Sequence, residues 1–322
     1  MRKREVWVDW AKAILIWLMI VGHAGCDGIP RDFIYAFHMP AFFIISGYLY
    51  KPHPLMKTIK SFGVPILFFS MVNLALILGK MLLKGESVDY EFLAQITPPY
   101  WKCNWGNYIT LFRGVWFIIV LFFMRILLGD IPLFSSIRKS YKIILPVLLF
   151  YMLIEPFFIN RMPQVQDYYL YKVIACMPFM MFGLLLKEYK TWMLSFGKYT
   201  LGVLLLVYII LVLYNGKNDI WAYTFTHGYF LFAVNAMLAS LIFFNILKKT
   251  HQSQIIISFS KGTLLIMGMH TLLINIFSRL FSKVHILMPE TILSFVNGIL
   301  VMVLCYFLIR LALRYCPVIL GK

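Results

Sequence analysis

Residues 6–24, VWVDWAKAILIWLMIVGHA, form an apolar run long enough to cross a lipid bilayer as one helix. A second apolar run, FIYAFHMPAFFIISGYLY, follows after a short loop at residues 33–50. Both runs contain polar side chains within the apolar sequence: Asp9, Lys12, His23, His38 and Ser46. An ionisable group at the centre of a membrane costs about 2.5–3.5 kcal/mol or more, and its default interpretation is functional. The two runs therefore predict a pair of membrane-spanning helices that carries a site.

The rest of the chain repeats this apolar pattern. The sequence is 61% hydrophobic and 13% charged, whereas a soluble domain has about 45–50% apolar and 25% charged residues. We therefore predict an all-α integral membrane protein in which residues 1–322 form a single polytopic domain of about ten transmembrane helices. The apolar runs of spanning length lie at about 6–24, 33–50, 61–83, 114–129, 143–160, 173–187, 199–214, 223–247, 264–282 and 291–313.

The basic residues indicate how the helices are oriented. The formal net charge of +17 comes from small groups of Lys and Arg between the apolar runs, without the continuous basic stripe typical of nucleic-acid-binding proteins. About twice as many Lys and Arg residues fall on the connections that share a side with the N-terminus as on the opposite side. We predict a multi-pass protein of the cell membrane with both termini in the cytoplasm, and no nucleic-acid partner.

Spacing places the polar groups of the first run on one face. Lys12 and His23 are eleven residues apart, which is three helical turns plus about 20°, and an axial rise of about 16 Å. Asp9 lies close to the same stripe. Because the loop at 25–32 is short, the first two helices are antiparallel neighbours, and His38 approaches His23 toward the outer leaflet. The alternatives are a Lys12 that extends to the membrane surface beside Asp9 and histidines with structural hydrogen bonds.

Cysteine and histidine spacing gives no metal motif. The five cysteines are scattered and form no CxxC pair. Cys26 and Cys103 both lie in predicted outer loops; a disulfide between them is possible, but two unpaired thiols are favoured. A metal site from the histidines at 23, 38, 227 and 270 lacks paired-ligand spacing. We predict no metal.

Several motifs resemble those of the membrane acyltransferase-3 family, and more narrowly its fucose 4-O-acetylase-like acetyltransferases. The first is Asp9-Trp10-Ala11-Lys12, then ten residues to His23, followed by the run from Phe37-His38-Met39-Pro40 to Ser46-Gly47-Tyr48-Leu49. Later stretches are also similar to family motifs: 57–60, 64–65, 116–117, 179–183 and 260–270. The sequence departs from the family in having Lys for the commoner Arg at positions 12, 57 and 60, and a reordered glycine near 261–262.

The resemblance implies an enzyme that transfers an acyl group, usually acetyl from cytoplasmic acetyl-CoA, to a sugar hydroxyl of a surface polysaccharide or its lipid-linked precursor. In this hypothesis Lys12, Lys57 and Lys60 attract the CoA phosphates. His23 is the general base, and a transient acyl-histidine is the alternative route. His38 is the second catalytic residue in this hypothesis, and His38, Ser46 or Trp116 stabilises the oxyanion or orients His23. The supporting positions are Asp9, Ser46, Trp116 and His270.

Two other classes of function remain open at this point. A secondary transporter or proton-coupled carrier also uses intramembrane Asp, Lys and His residues, although no inverted repeat is visible in this sequence. A non-enzymatic assembly protein would keep its function in a His23→Ala variant. The acceptor sugar, the length of the acyl group and the oligomeric state are not indicated by the sequence.

Overall fold

A computed structural model describes residues 4–87, 114–132, 135–154, 156–159, 167–285 and 288–321, without the side chains of 158 and 159. Within these residues the chain is almost entirely helical. The α-helices, in chain order, are α1 Val6–His23, α2 Gly28–Tyr35, α3 His38–Tyr48, α4 Leu55–Thr58, α5 Val64–Lys84, α6 Trp116–Arg125, α7 Ser135–Lys139, α8 Tyr141–Ile154, α9 Pro156–Ile159, α10 Tyr169–Glu188, α11 Lys190–Met193, α12 Lys198–Asn215, α13 Tyr229–Leu247, α14 Gln254–Lys261, α15 Thr263–Lys283 and α16 Glu290–Tyr315.

Three short elements join or extend these helices. A π-helical turn, Ile59–Gly63, connects α4 to α5, and a second one, Ile126–Asp130, extends α6. The two-residue strands β1, Asn218–Asp219, and β2, Thr224–Phe225, form an antiparallel hairpin between α12 and α13. A 3₁₀ turn, Pro317–Leu320, follows α16.

Seven helical segments in the described part of the chain are long and apolar enough to cross a membrane: α1, α4 through α5, α10, α12, α13, α15 and α16. The prediction of an all-α, multi-pass membrane protein is therefore confirmed. The other three predicted spans coincide with shorter helices, which are α2 with α3, α6 with its π-helical turn, and α8. The number ten remains a prediction.

The predicted span 33–50 is divided into two helices. Phe37 has φ −148° and ψ −20°, which is not helical, and it separates α2 from α3. Pro40 lies in the first turn of α3. Backbone N–H groups in the first turn have no acceptor within the helix, so a proline there costs no helical hydrogen bond. The break puts His38 at the first position of α3, and His38 Nδ1 lies 2.8 Å from the Ile34 carbonyl oxygen of α2.

Helix α1 lies at the centre of the bundle. It packs against α3, α13, α14, α15 and α16, and Ala11, Leu15, Ile16 and Ile20 on its apolar face are fully buried. Since lipid surrounds the outer helices, a helix enclosed by protein on most sides can carry polar groups that face neighbouring helices instead of lipid. The central position of α1 therefore suits the helix with Asp9 and Lys12.

Helices α3 and α10 cross at two glycines. A methyl group on Gly47 would overlap the Met180 carbonyl, and one on Gly183 would overlap the Ile44 carbonyl. Small residues on both helices let the backbones approach closely, which is a common way for helices to associate in membranes. This crossing fixes the position of the half of α3 that contains Ser46.

Candidate functional site

A cavity of about 540 Å³ lies at the end of the bundle that contains both chain termini. We call this the inner end, and the opposite end the outer end. The residues that line the cavity come from α1, α3, the first π-helical turn, α6, α14, α15 and the C-terminal turn. Its charged lining residues are Arg4, Glu5, Asp9, Lys12, Arg125 and Lys261. The volume falls within the range of about 300–1,000 Å³ that is common for small-molecule sites.

The two carboxylates of the cavity are already paired. Asp9 accepts hydrogen bonds from Arg4 Nε at 2.5 Å and Arg4 Nη2 at 2.7 Å. Glu5 accepts hydrogen bonds at 2.8 Å from Lys190 Nζ and from the Tyr48 hydroxyl. Although partial burial raises the pKa of Glu5, these hydrogen bonds and that from Trp7 lower it below its ordinary value of 4.5 overall. Both carboxylates therefore already have a basic side chain as partner.

The remaining cations give the cavity its binding potential. Lys12 is half-buried and, within the described residues, donates no hydrogen bond to protein, while Lys261 is exposed at the start of the α14–α15 junction. Arg125 is the third cation, and its guanidinium lies over the Tyr50 ring at 4.8 Å from the ring centroid. Because Asp9 and Glu5 already have partners, Lys12 and Lys261 leave a net positive lining that favours an anionic ligand. Arg125 is itself paired with Asp130 and contributes hydrogen-bond donors to this lining.

The far end of the cavity is apolar and lies close to a histidine. Phe42, Phe117 and Met267 line it and are almost fully buried. The Met267 carbonyl oxygen lies 2.7 Å from His270 Nδ1. A methyl group on Gly114, which has φ +82°, would lie 3.3 Å from His270 Cε1, so this glycine allows the chain before α6 to pack on the histidine. The cavity thus ends one helical turn below His270.

His270 lies against His23. The two ring centroids are 5.1 Å apart, with the planes inclined by 40°. His270 is 3% exposed, whereas His23, at the last position of α1, is exposed at the outer end. His23 is not among the residues that line the cavity. The cavity and the exposed imidazole are therefore separated by the Met267–His270 turn.

His38, the predicted partner of His23, lies near it but has its closest ring contact with another residue. His38 is 4% exposed, and its ring centroid lies 5.2 Å from that of Tyr35. It remains within electrostatic range of His23. The guanidinium of Arg31 lies 4.1 Å from the Tyr35 ring centroid. Three histidines thus lie around the outer end of α1, and His270, not His38, has its ring against His23.

The other predicted site residues are divided between the cavity and its surroundings. Asp9, Lys12 and Ser46 line the cavity, and the Ser46 hydroxyl donates to the Phe42 carbonyl oxygen at 2.8 Å. Lys57 and Lys60 are exposed and do not line it.

Trp116 lies at the outer end of α6. Its ring centroid is 5.1 Å from that of Trp221 in the hairpin loop. That loop is anchored by the almost fully buried Lys172, whose Nζ donates to the Trp221 carbonyl oxygen at 2.5 Å. The aromatic pair therefore has a firm attachment to α10.

Sequence reasoning did not single out Arg125 and Lys261 as site residues. Arg125 lies inside an apolar run, and that position alone was a signal, because an intramembrane Arg is costly unless it faces a partner or a cavity. Lys261 falls in a connection between predicted spans, and its signal was its place in the stretch 260–270, which is similar to a family motif.

Two features of the sequence extend beyond the described residues. Cys26 is buried and free, and Cys103 lies outside the described residues, so the pairing of these two cysteines stays open. The aromatic residues of the connection 84–113 also lie outside the described residues.

Comparison with known proteins supports one family. The family model for an acyltransferase domain matches residues 5–311, which include every charged lining residue of the cavity except Arg4 and all three histidines around the outer end of α1. Comparisons with curated proteins and with solved structures give no match. Because the match covers nearly the whole chain, the protein belongs to the acyltransferase-3 family and is a multi-pass membrane acyltransferase.

Proposed function

We propose that this protein is an O-acetyltransferase that moves an acetyl group from acetyl-CoA in the inner cavity to a sugar hydroxyl at the outer end, with His23 as general base. One observation carries the proposal. The cavity is cationic near the chain termini and apolar at its far end, and that far end lies one helical turn from the His23–His270 pair. An acyl-CoA has the matching polarity, with anionic phosphates at one end and a thioester on a long arm at the other.

The donor would bind with its phosphates at the inner end. Lys12, Arg125 and Lys261 supply the cations of the lining, and charge-assisted hydrogen bonds to phosphate are about twice as strong as neutral ones. Lys57 and Lys60 lie exposed on the α4 and π-helical segment that leads to the lining residue Phe62. In this proposal they increase the local concentration of the anionic donor without entering the cavity.

The acyl transfer would occur at the outer side of the Met267–His270 turn. His23 removes the proton as the acceptor hydroxyl oxygen attacks the thioester carbonyl carbon. A carbon–oxygen bond forms, the carbon–sulfur bond breaks, and the proton passes from His23 to the leaving thiolate. The Met267 carbonyl oxygen can only accept, so His270 Nδ1 carries the hydrogen and its Nε2 is an acceptor in the neutral ring. That tautomer suits a role for His270 in orienting His23.

Topology supports donor entry from the cytoplasm. The Arg4–Glu5 segment and the Leu320–Gly321 segment line the same cavity, so the two termini lie at one end of the bundle. An even number of crossings is then required, and seven long helices do not provide it. At least one shorter apolar segment must also cross, and adding all three gives the ten predicted spans. The excess of Lys and Arg on the connections at this end supports a cytoplasmic location for it.

The test is acetyl-CoA turnover by the purified full-length protein. Release of free CoA thiol is measured with a hydroxyl acceptor, and acetylation of surface glycans is compared by mass spectrometry in cells with and without the protein. His23→Ala should reduce thiol release by about 10²- to 10⁴-fold.

The matched control is His227→Ala. His227 is also an exposed histidine toward the outer end, but its ring stacks on Tyr214 at a centroid distance of 4.4 Å, away from the cavity. We expect turnover of this variant to match that of the unmodified protein. Full turnover of His23→Ala would refute the base assignment, and no thiol release from the unmodified protein with any sugar acceptor would refute acetyl-CoA as donor.

A further inference from the structure

We infer that Asp130 is a positioning residue for the acyl donor, because it holds the Arg125 guanidinium at the wall of the inner cavity. The inference rests on the proposed function, in which that cavity binds the phosphates of CoA. Asp130 does not line the cavity itself. Its side chain is fully buried at the end of the π-helical turn that follows α6.

The Asp130 carboxylate collects donors from three separate segments. Oδ1 accepts from the Tyr50 hydroxyl at 2.9 Å and from the His53 backbone N–H at 3.1 Å. Oδ2 accepts from the Thr58 hydroxyl and from Arg125 Nε, the latter at 3.3 Å. A buried carboxylate with four hydrogen-bond donors, one of which belongs to a cation, is well compensated, so its position is strongly determined.

Arg125 is held on two edges and one face. Its Nε is bound to Asp130, Nη2 donates to the Lys51 carbonyl oxygen at 3.0 Å, and the plane lies over the Tyr50 ring. These contacts use two of the five N–H groups of a guanidinium. The other three are not taken by hydrogen bonds to the described residues, and Arg125 lines the cavity. The fixed fork thus presents donors to an anion in the cavity.

The local backbone explains how the Asp130 carboxylate reaches the guanidinium of Arg125, which is only five residues earlier in the chain. Gly129 has φ +107°, and a Cβ there would lie 2.9 Å from the Ser135 Cα, so a side chain is excluded on both counts. The turn at Gly129 directs Asp130 back toward Arg125, and the wider π-helical turn brings residues five apart onto one side. Asp130 can therefore brace Arg125 without entering the cavity.

The experiment measures CoA binding by titration calorimetry on the full-length protein in detergent, so that it does not depend on turnover. Arg125→Met removes the guanidinium and should raise the Kd for CoA by about tenfold, as expected for one hydrogen bond to a charged group. Asp130→Asn keeps the shape but replaces an acceptor with a donor beside Arg125 Nε, and should raise the Kd by about three- to tenfold.

The double variant Arg125→Met, Asp130→Asn should bind CoA within about twofold of Arg125→Met, because Asp130 then has no guanidinium to position. The double variant also removes both buried charges, which reduces the risk that it fails to fold. Asp219→Asn is the matched control. It also removes a carboxylate that is paired with an arginine, Arg31 at 3.6 Å, but Asp219 does not line the inner cavity, so its Kd should stay close to that of the unmodified protein.

Two results would overturn the inference. One is an unchanged Kd in Asp130→Asn while Arg125→Met binds weakly; the other is a double variant whose loss equals the product of the two single losses. If Asp130→Asn does not fold, Asp130→Glu shifts the carboxylate by one methylene and should weaken binding in the same direction. If the unmodified protein does not bind CoA, the proposed donor fails first, and the inference falls with it.

Discussion

The crossing of α3 and α10 offers a test whose magnitude follows from the coordinates. A methyl group at Gly183 would overlap the Ile44 carbonyl and would lie 2.8 Å from the Tyr48 backbone nitrogen. Backbone atoms cannot rotate away as a flexible side chain can, so Gly183→Ala forces the two helices apart. The displaced segment contains Ser46 and Tyr48, which both line the inner cavity. The substitution should therefore affect stability and donor binding together.

The expected loss of stability is about 1–3 kcal/mol. Overpacking a tight contact typically costs about 1–3 kcal/mol, and contact with backbone on both sides places Gly183→Ala at or above the upper part of that range. The better helix propensity of Ala offsets up to about 1 kcal/mol. We expect a clear fall in the thermal unfolding midpoint in detergent, and a higher KM for acetyl-CoA.

Gly202→Ala is the matched control for this experiment. Gly202 lies within α12, and a Cβ added there meets no atom within 4 Å. Its substitution should leave the midpoint unchanged or raise it slightly, because Ala favours the helix. Equal midpoints for Gly183→Ala and Gly202→Ala would show that α3 and α10 do not cross as closely as described, and would refute the reasoning.

Three further predictions concern the charges at the inner end. Lys12→Met should raise the KM for acetyl-CoA by about tenfold with little change in kcat, and a kcat effect alone would contradict a donor-binding role. Lys57→Ala with Lys60→Ala should raise that KM modestly and weaken its dependence on salt, whereas an unchanged salt dependence would place the attraction elsewhere. Because the folded-state pKa of Glu5 is below 4.5, its stabilisation is present above that pH and is lost as the pH falls through the folded-state pKa. Glu5→Gln should lower the unfolding midpoint near pH 7, and the difference should shrink toward pH 3; a difference that grows on acidification would contradict the pairing with Lys190.

The sequence predicted the local part of the site well. The helical period placed Asp9 and Lys12 on one stripe of α1, and in the structure both side chains line the same cavity. The apolar runs likewise predicted a multi-pass helical protein, because the composition leaves too few charges to cover a soluble surface. These conclusions needed only the geometry of one helix and the chemistry of the surrounding lipid.

The neighbour of His23 could not be predicted in the same way. His270 is seven residues from the start of α15, which suggests a position deep toward the inner end if every span begins at the same level. Helix α15 does not begin at the level of the other spans, because α14 precedes it and packs beside α1. The Trp10 indole donates to the His251 carbonyl oxygen at 2.8 Å, and Lys261 at the end of α14 lines the same cavity as Lys12. Helix α14 thus carries the start of α15 deeper into the bundle, and His270 reaches His23.

The Met267–His270 turn separates the cavity from the exposed His23, and this separation limits how the proposed reaction can occur. The CoA phosphates carry several negative charges, and moving them through an apolar bundle would cost far more than moving the neutral thioester arm. The cations lie at the inner end, while Phe42, Phe117 and Met267 form an apolar end that excludes charge but can admit a thioester. The arrangement therefore favours a donor that stays anchored inside and an acceptor that approaches His23 from outside. On this reasoning, the Met267–His270 turn must shift to let the acyl group through, and it is the part of the protein whose packing should control the rate of transfer most directly.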